Sequence, residues 1–141
     1  MNPLLQYAYL NTDYYVDAPD AAFKLNIGCY SPELDQLHQK FGVSTSLYIT
    51  AWNPFSELLT DADNEAKQQA LVSDITDSGF EMLTGRGIAQ SGDWPPEESI
   101  IVFGCDEITA ITLSQKYQQN AVVFSDANAI PRLIATDWVK H

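Results

Sequence analysis

The chain has 141 residues, 45% of them hydrophobic and 11% aromatic, which excludes a disordered protein and predicts one domain spanning residues 1–141. Its formal net charge is −12, from 7 basic and 19 acidic residues, and the basic residues lie singly along the sequence. Because nucleic-acid binding needs clustered Lys and Arg to neutralise phosphates, we expect no direct nucleic-acid binding.

The sequence also predicts a cytoplasmic protein that does not enter a membrane. Its start lacks the basic region and long apolar core of a secretory signal, and no apolar run has the length of a bilayer-crossing helix. Cys29 and Cys105 are the only cysteines. We expect both thiols to be free, as is usual in a reducing compartment.

The first part of the chain predicts a strand hairpin followed by a helix. Residues 6–16 and 21–30 are strand-like runs, and the turn residues 17–20 between them favour a reversal. Ser31 then supplies a helix cap just before a proline, and Gly42 ends the apolar periodicity. We therefore expect the first helix between these two residues.

Residues 43–52 predict a strand at the centre of the sheet. β-Branched and aromatic side chains occur at both the odd-numbered and the even-numbered positions of this run, as in a strand that is covered on two faces. Pro54 has no N–H for a sheet ladder and restricts Asn53 to extended conformations, so the chain leaves the sheet here with the Asn53 amide free. Thr50, Trp52 and Asn53 then lie together at the end of a strand, where ligands bind in many open sheets.

The rest of the chain predicts two further helices and the remaining strands of the sheet. One helix begins at residues 61–64 and ends at Gly79, and Asp106 caps another. The remaining strands are expected at residues 80–90, 97–104, 121–124 and 131–136. This order of elements predicts an α+β fold, a mixed α/β sheet of about five to seven strands with three helices packed on it.

Charged candidates for a ligand site lie in the second half of the chain. Arg86 is flanked by glycines and could hold a carboxylate or phosphate with two hydrogen bonds, although a structural ion pair is the commoner role. Glu97 and Glu98 point to opposite faces of a strand, so they do not form a carboxylate pair. One of them could line a pocket beside Trp94, with solvated charge as the alternative.

The sequence contains no complete catalytic or metal-binding motif. Its two histidines, His38 and His141, follow no nucleophile motif and share no metal-ligand spacing with the cysteines. Asp61, Asp63 and Glu65 lack the glycine and the distant glutamate of a calcium loop, so helix capping explains them. We therefore predict neither a metal nor a cofactor, and whether the protein is an enzyme stays open.

Short motifs lie in a set order along most of the chain. They are Thr50-Ala51-Trp52-Asn53-Pro54, Asn64, Gly85 and Gly87, Trp94 before Glu98-Ser99, and Gln119-Asn120-Ala121. In this order they resemble a small bacterial family known as domain of unknown function 3293, which has no assigned activity. The resemblance implies a shared fold and a shared site, and it names no substrate.

One position departs from the pattern of that family. After the third helix the family would have an aromatic-Gly-Gln turn, whereas this chain has Tyr117, Gln118 and Gln119. Glycine readily adopts the left-handed conformation that ends many helices. How this helix ends without a glycine is therefore an open question.

The polar and aromatic residues of these motifs form the predicted ligand site. They are Thr50, Trp52, Asn53, Asn64, Arg86, Trp94, Glu98, Ser99, Gln119 and Asn120. We expect them to bind a polar or anionic small molecule, with or without catalysis. A pocket that brings the amides together with Arg86 and Glu98 would favour this function.

The alternative is a non-enzymatic acidic module that binds or inhibits another protein. Trp52, Trp94 and Trp138 are its candidate surface anchors, although core packing is favoured for Trp52. A flat, exposed aromatic patch without a pocket would favour this alternative.

Overall fold

A computed structural model describes residues 1–136 as a single antiparallel sheet with helices on both faces. Within these residues it has four helices and seven strands. The helices are α1 (Pro3–Leu10), α2 (Pro32–Phe41), α3 (Asp61–Ser78) and α4 (Glu107–Lys116). The strands are β1 (Thr12–Val16), β2 (Phe23–Leu25), β3 (Ser46–Ile49), β4 (Glu81–Ala89), β5 (Glu97–Phe103), β6 (Ala121–Ser125) and β7 (Arg132–Ala135). The predicted α+β class is therefore confirmed.

The strands lie in the order β2-β1-β4-β5-β3-β6-β7, and every neighbouring pair is antiparallel. The predicted mixed sheet is wrong, and the connections explain why. The helical connections β3–α3–β4 and β5–α4–β6 each join two strands of the same direction, but each connection passes over one strand. Strands that run parallel are therefore never neighbours in this sheet.

The strand β3 is central, as predicted, and all four of its residues are buried. Tyr48 lies opposite Ile101 of β5 and Val123 of β6 in the sheet register. Leu47 and Ile49 face the helices α3 and α4, together with Leu71, Ile75 and Ala110 of those helices. The opposite face packs against α2, with Leu34 and Leu37 buried beside Tyr48, Ile101 and Phe103. Both faces of the central strands are covered because the sheet lies between two layers of helices.

Two helices begin and end where the sequence predicts, and a third begins there. In α2 the Ser31 hydroxyl accepts a hydrogen bond from the N–H of Leu34 at 3.1 Å, and Gly42 ends the helix in the left-handed conformation. Gly79 ends α3 in the same way, and Asp106 caps α4. No helix within residues 1–136 is both long enough and apolar enough to cross a membrane.

The N-terminal segment differs from the prediction. Residues 6–10 belong to the helix α1, and the strand begins only at Thr12. Asn2 caps α1, since its side chain accepts a hydrogen bond from the N–H of Leu4 at 2.8 Å, and Pro3 occupies the first position. The second predicted strand, residues 21–30, is reduced to β2. The hairpin itself is confirmed, since β1 and β2 pair antiparallel.

The helix α4 ends in a left-handed turn even though it lacks a glycine. Gln118 has a φ of 55°, and its N–H donates to the carbonyl of Gln115 at 3.2 Å. The N–H of Gln119 donates to the carbonyl of Ser114 at 2.9 Å. Gln118 thus forms the turn that glycine would supply, in a backbone conformation that is unfavourable for residues with a Cβ.

Candidate functional site

The corner after β3 is held by Asn53, which is buried and left-handed, with a φ of 47°. The prediction of an extended Asn53 with a free amide is therefore wrong. Its N–H donates to Asn64 Oδ1 at 2.8 Å, and its Oδ1 accepts from Asn64 Nδ2 at 2.8 Å and from the N–H of Leu59 at 3.0 Å. These three hydrogen bonds outweigh the extended preference before proline, and asparagine tolerates the left-handed region better than most residues.

The remaining amide group of Asn53 points to a carboxylate. Asn53 Nδ2 donates to Glu97 Oε2 at 2.7 Å, and Trp94 Nε1 donates to the same oxygen at 3.0 Å. Burial raises the pKa of Glu97 above its ordinary value, while these two hydrogen bonds act in the opposite direction. The corner therefore presents one partly buried acid that is oriented by two fixed donors.

A cavity of about 320 Å³ lies between α1 and the sheet, and Glu97 is part of its wall. We call it the α1 pocket. Its lining includes Leu5, Ala8 and Tyr9 from α1, Tyr14, Tyr48 and Ser99 from the sheet, and Trp94 from the loop before β5. No residue of α1 is fully buried, although Leu5 and Tyr9 are partly buried, so this helix covers the pocket while contributing little to the core.

Three tyrosine rings give the α1 pocket an aromatic wall. The rings of Tyr14 and Tyr48 meet edge to face, with their centres 5.2 Å apart. Tyr14 donates its hydroxyl proton to the carbonyl of Tyr9 at 2.7 Å, and Tyr48 donates to the carbonyl of Tyr15 at 2.6 Å. Burial raises the pKa of both hydroxyls, and burial together with the Glu97 charge raises the pKa of Tyr9 to about 12. These phenols are therefore neutral near pH 7.

The structure brings five of the predicted site residues to the α1 pocket. These are Thr50, Asn53, Trp94, Ser99 and Gln119. Three others support it from behind. Trp52 is buried, and its carbonyl accepts a hydrogen bond from Gln119 Nε2 at 3.2 Å. Asn120 Nδ2 donates to Ser56 Oγ at 2.9 Å. Asn64 holds Asn53 as described above.

Arg86 and Glu98 do not join this group. They are cross-strand partners in β4 and β5, and both line a separate depression with Asp17 and Gln68. Successive side chains of a strand point to opposite faces, so Glu98 faces away from the α1 pocket when Glu97 faces towards it. The predicted convergence of Arg86 and Glu98 with the corner amides is therefore wrong.

The sequence left open whether Glu97 or Glu98 lines a pocket beside Trp94, and the predicted site took Glu98, whereas the α1 pocket has Glu97. Side chains two positions apart in a strand face the same side, so the presence of Ser99 in the predicted site could have indicated Glu97. The three tyrosines were not in the predicted site either. Tyr9 was missed because it was assigned to a strand, whereas it belongs to the helix α1. Trp138, one of the candidate surface anchors, lies outside the described residues.

The chemical groups of the α1 pocket are those of a binding site with two acids, the exposed Asp93 and the partly buried Glu97. Within residues 1–136 there is no cluster of His, Cys, Asp and Glu that could hold a metal ion. Cys29 and Cys105 are free thiols, and burial raises the pKa of Cys105 to about 11. Glu97, the less exposed of the two, can accept a hydrogen bond from a ligand, balance its positive charge or exchange a proton with it.

Comparison with known proteins gives one match. The family model described as "Protein of unknown function (DUF3293)" matches residues 49–122, which is more than half of the chain. The matched segment runs from the corner after β3 to the start of β6 and includes Glu97. No curated protein and no solved structure matches the chain.

Proposed function

The chain belongs to the family described as "Protein of unknown function (DUF3293)", as its motifs predicted, and from the geometry of the site we propose that it binds a small organic molecule in the α1 pocket. The observation that carries this proposal is the Glu97 carboxylate, which Asn53 and Trp94 hold in the wall of an otherwise largely apolar cavity. Sites for small molecules typically combine such apolar walls with a few oriented polar groups.

The size of the cavity supports this proposal. Its volume of about 320 Å³ lies at the lower end of the range of roughly 300–1,000 Å³ that is typical of small-molecule sites. A molecule the size of one aromatic ring with a short polar chain fits this volume. We therefore propose a ligand with an apolar body and a hydrogen-bond donor for Glu97.

The charges of the lining argue against the anionic ligand that the sequence suggested. That expectation rested on Arg86, which lies at the separate depression and away from the α1 pocket. No Lys or Arg lines the pocket among the described residues, and Glu97 would repel an anion. The proposal therefore keeps a small ligand at the corner after β3 and changes its charge class.

The experiment is a protein-observed NMR screen of the whole chain with small amines, alcohols, amides and organic acids. We expect binders that shift the backbone amide signals of Ala8, Gly87 and Ser99 together. Glu97→Gln should weaken them, whereas Glu81→Gln should not, because Glu81 is an exposed acid at the other end of the β4–β5 pair. A screen without binders, or binders that act equally on both variants, would contradict the proposal.

A second candidate function is the binding of another protein at the mouth of the pocket. Leu4 and Tyr7 of α1 are 81% and 63% exposed, and Trp94 is 40% exposed. Large apolar side chains that stand out on one short helix favour such a contact. This candidate gains support if the screen finds no ligand, the wild-type protein captures a partner protein, and the Tyr7→Ser variant does not.

The two free cysteines bear on the cellular compartment of the protein. We propose the reducing cytoplasm, because both cysteines are free and the exposed Cys29 would be open to oxidation elsewhere. Mass spectrometry of protein isolated without reductant should find Cys29 unmodified.

A further inference from the structure

We infer that the ligand of the α1 pocket is an organic cation, a molecule whose ammonium group contacts Glu97 while its apolar body lies among the aromatic rings. This inference rests on the proposed function and names the chemical class of its ligand. It follows from the charges of the lining, the hydrogen bonds of Glu97 and the arrangement of the rings.

The first step is the charge balance of the lining. Two acids, Glu97 and Asp93, line the α1 pocket, and no described lining residue is basic. A charge that is partly removed from water and has no counterion is unfavourable. A cationic ligand supplies the counterion that the protein itself does not provide there.

The second step is the hydrogen bonding of Glu97. Its two protein donors, Asn53 Nδ2 and Trp94 Nε1, both reach Oε2. Among the described residues Oε1 has no hydrogen-bond partner, so one oxygen of the carboxylate is available to a ligand in the pocket. Both donors also restrict the orientation of the carboxylate, and Asn53 is itself held by its hydrogen bonds with Asn64 and Leu59.

The third step is the aromatic lining. The residues that line the pocket include Tyr9, Tyr14, Tyr48 and Trp94. The face of an aromatic ring carries partial negative charge and attracts a cation, and groups of such rings are typical of sites for alkylammonium ions. Since Tyr14 and Tyr48 use their hydroxyl protons on backbone carbonyls, these two hydroxyls offer no donor hydrogen to an anionic ligand.

Two further observations agree with a cationic ligand. Burial raises the pKa of Glu97, and a bound cation would reverse that shift by stabilising the ionised form. The net charge of −12 gives the whole molecule a field that attracts cations and repels anions.

The experiment compares three ligands of the same shape: 2-phenylethylamine, which is a cation near neutral pH, the neutral 2-phenylethanol, and the phenylacetate anion. Each is titrated into the whole protein at low salt, with binding measured by calorimetry and by the NMR signals of the pocket. We expect the amine to bind at least about tenfold more tightly than the alcohol, and phenylacetate not to bind.

The variants connect this preference to the carboxylate. Glu97→Gln keeps the shape of the side chain and should reduce the preference for the amine over the alcohol to about threefold or less, since the charge is lost. Glu81→Gln removes the same charge far from the pocket and should leave the preference unchanged. Circular dichroism of both variants shows whether they are folded.

The outcomes separate this inference from the proposed function. If 2-phenylethanol binds in the α1 pocket as tightly as the amine, the pocket binds small molecules and the cation inference is overturned. If phenylacetate binds most tightly, the inference is overturned in the same way. If none of the three ligands shifts the pocket signals at millimolar concentration, both the inference and the proposed function fail for a ligand of this size.

Discussion

Asn53 is the residue on which the geometry of the candidate site depends. Its backbone and its side chain together join the end of β3, the start of α3 and the Glu97 carboxylate. Because it is buried and left-handed, both its side-chain chemistry and its conformation restrict what can replace it. A residue that looked like an exposed ligand contact in the sequence is therefore a structural residue that also orients the acid.

Replacing Asn53 by Ala should lower the free energy of unfolding by roughly 2–4 kcal/mol. The variant removes one of the two donors to Glu97 Oε2 and the acceptor for Asn64 Nδ2 and for the N–H of Leu59. It also places a residue that lacks a polar side chain at a positive φ. Urea unfolding of the wild type and the variant measures the loss. Asn120→Ala is the matched control, since it removes one hydrogen bond, to Ser56, and should cost only about 1 kcal/mol.

Asn53→Gly separates the two causes, because glycine accepts the left-handed conformation without strain. It should be more stable than Asn53→Ala and still less stable than the wild type. Equal stability of the wild type and Asn53→Ala would contradict the structural role of this residue.

Because of Glu97, the stability of the protein should fall as the pH rises through the range in which this carboxyl ionises. Burial raises the pKa of Glu97 in the folded state above its value in the unfolded chain, so ionisation favours unfolding. Its contribution to stability is therefore fully present below the unfolded pKa and is lost as the pH rises through the folded pKa. Relative to Glu97→Gln, the wild type should lose stability over this interval.

Urea unfolding of both proteins from acidic to neutral pH measures this difference. Glu81→Gln is the control for the loss of one negative charge at an exposed position, and it should follow the wild type more closely. If the wild type instead gains stability relative to Glu97→Gln as the pH rises, the hydrogen bonds from Asn53 and Trp94 dominate over burial.

The elements of the fold differ in how much local sequence determines them. The ends of α2, α3 and α4 could be predicted because caps such as Ser31, Gly79 and Asp106 act on their immediate neighbours. The helix α1 was missed because none of its residues is fully buried, so its sequence shows no clear apolar stripe. The pairing of strands was missed because a helical connection that passes over a strand leaves no mark in local sequence.

Two glycines of β4 test how closely the strands pack at the pocket. A Cβ added to Gly85 would overlap with the carbonyl oxygen of Tyr15 and lie 2.8 Å from the Tyr48 hydroxyl oxygen. The hydrogen bond between these two groups occupies the space. Gly85→Ala should therefore destabilise the protein by roughly 2–3 kcal/mol.

Gly87 is the matched control for Gly85, since it is two positions along the same strand and faces the same side. A Cβ there would meet Thr12 Cγ2 at 3.5 Å, an ordinary van der Waals contact. Gly87→Ala should change stability by no more than about 0.5 kcal/mol, with a gain favoured because the unfolded chain loses freedom. Thermal unfolding of both variants compares them, and similar losses would mean that the close contact at Gly85 is absent.

At the scale of the whole molecule, the sequence indicated where the candidate pocket lies, but it did not indicate all of the residues that line it. The corner after β3 follows from the strand pattern that ends at Pro54, and five of the predicted residues do line the pocket. The opposite placement of Arg86 and Glu98 depends on which face of the sheet α1 covers. That choice involves residues far apart in sequence, so no local pattern in the chain reveals it.

The net charge is −12, and among residues 1–136 few of the acidic side chains form ion pairs. Lys24 contacts Asp13 at 3.6 Å, Lys116 contacts Asp74 at 2.7 Å, and Arg132 contacts both Glu107 and Asp126. These pairs are partly exposed, and such pairs stabilise proteins little. Repulsion among the acids should therefore dominate the long-range electrostatics of the folded state.

Salt should consequently stabilise the folded protein. Raising the NaCl concentration from about 0.01 M to about 1 M shortens the Debye length from about 30 Å to about 3 Å, so it screens repulsion across the molecule. We expect the Tm to rise by about 3 °C, which corresponds to about 1 kcal/mol for a chain of this size. Asp77→Asn, which removes an exposed acid from the last turn of α3, should raise the Tm at low salt and reduce its dependence on salt. A Tm that falls with added salt would mean that the ion pairs of Lys24, Lys116 and Arg132 outweigh the repulsion.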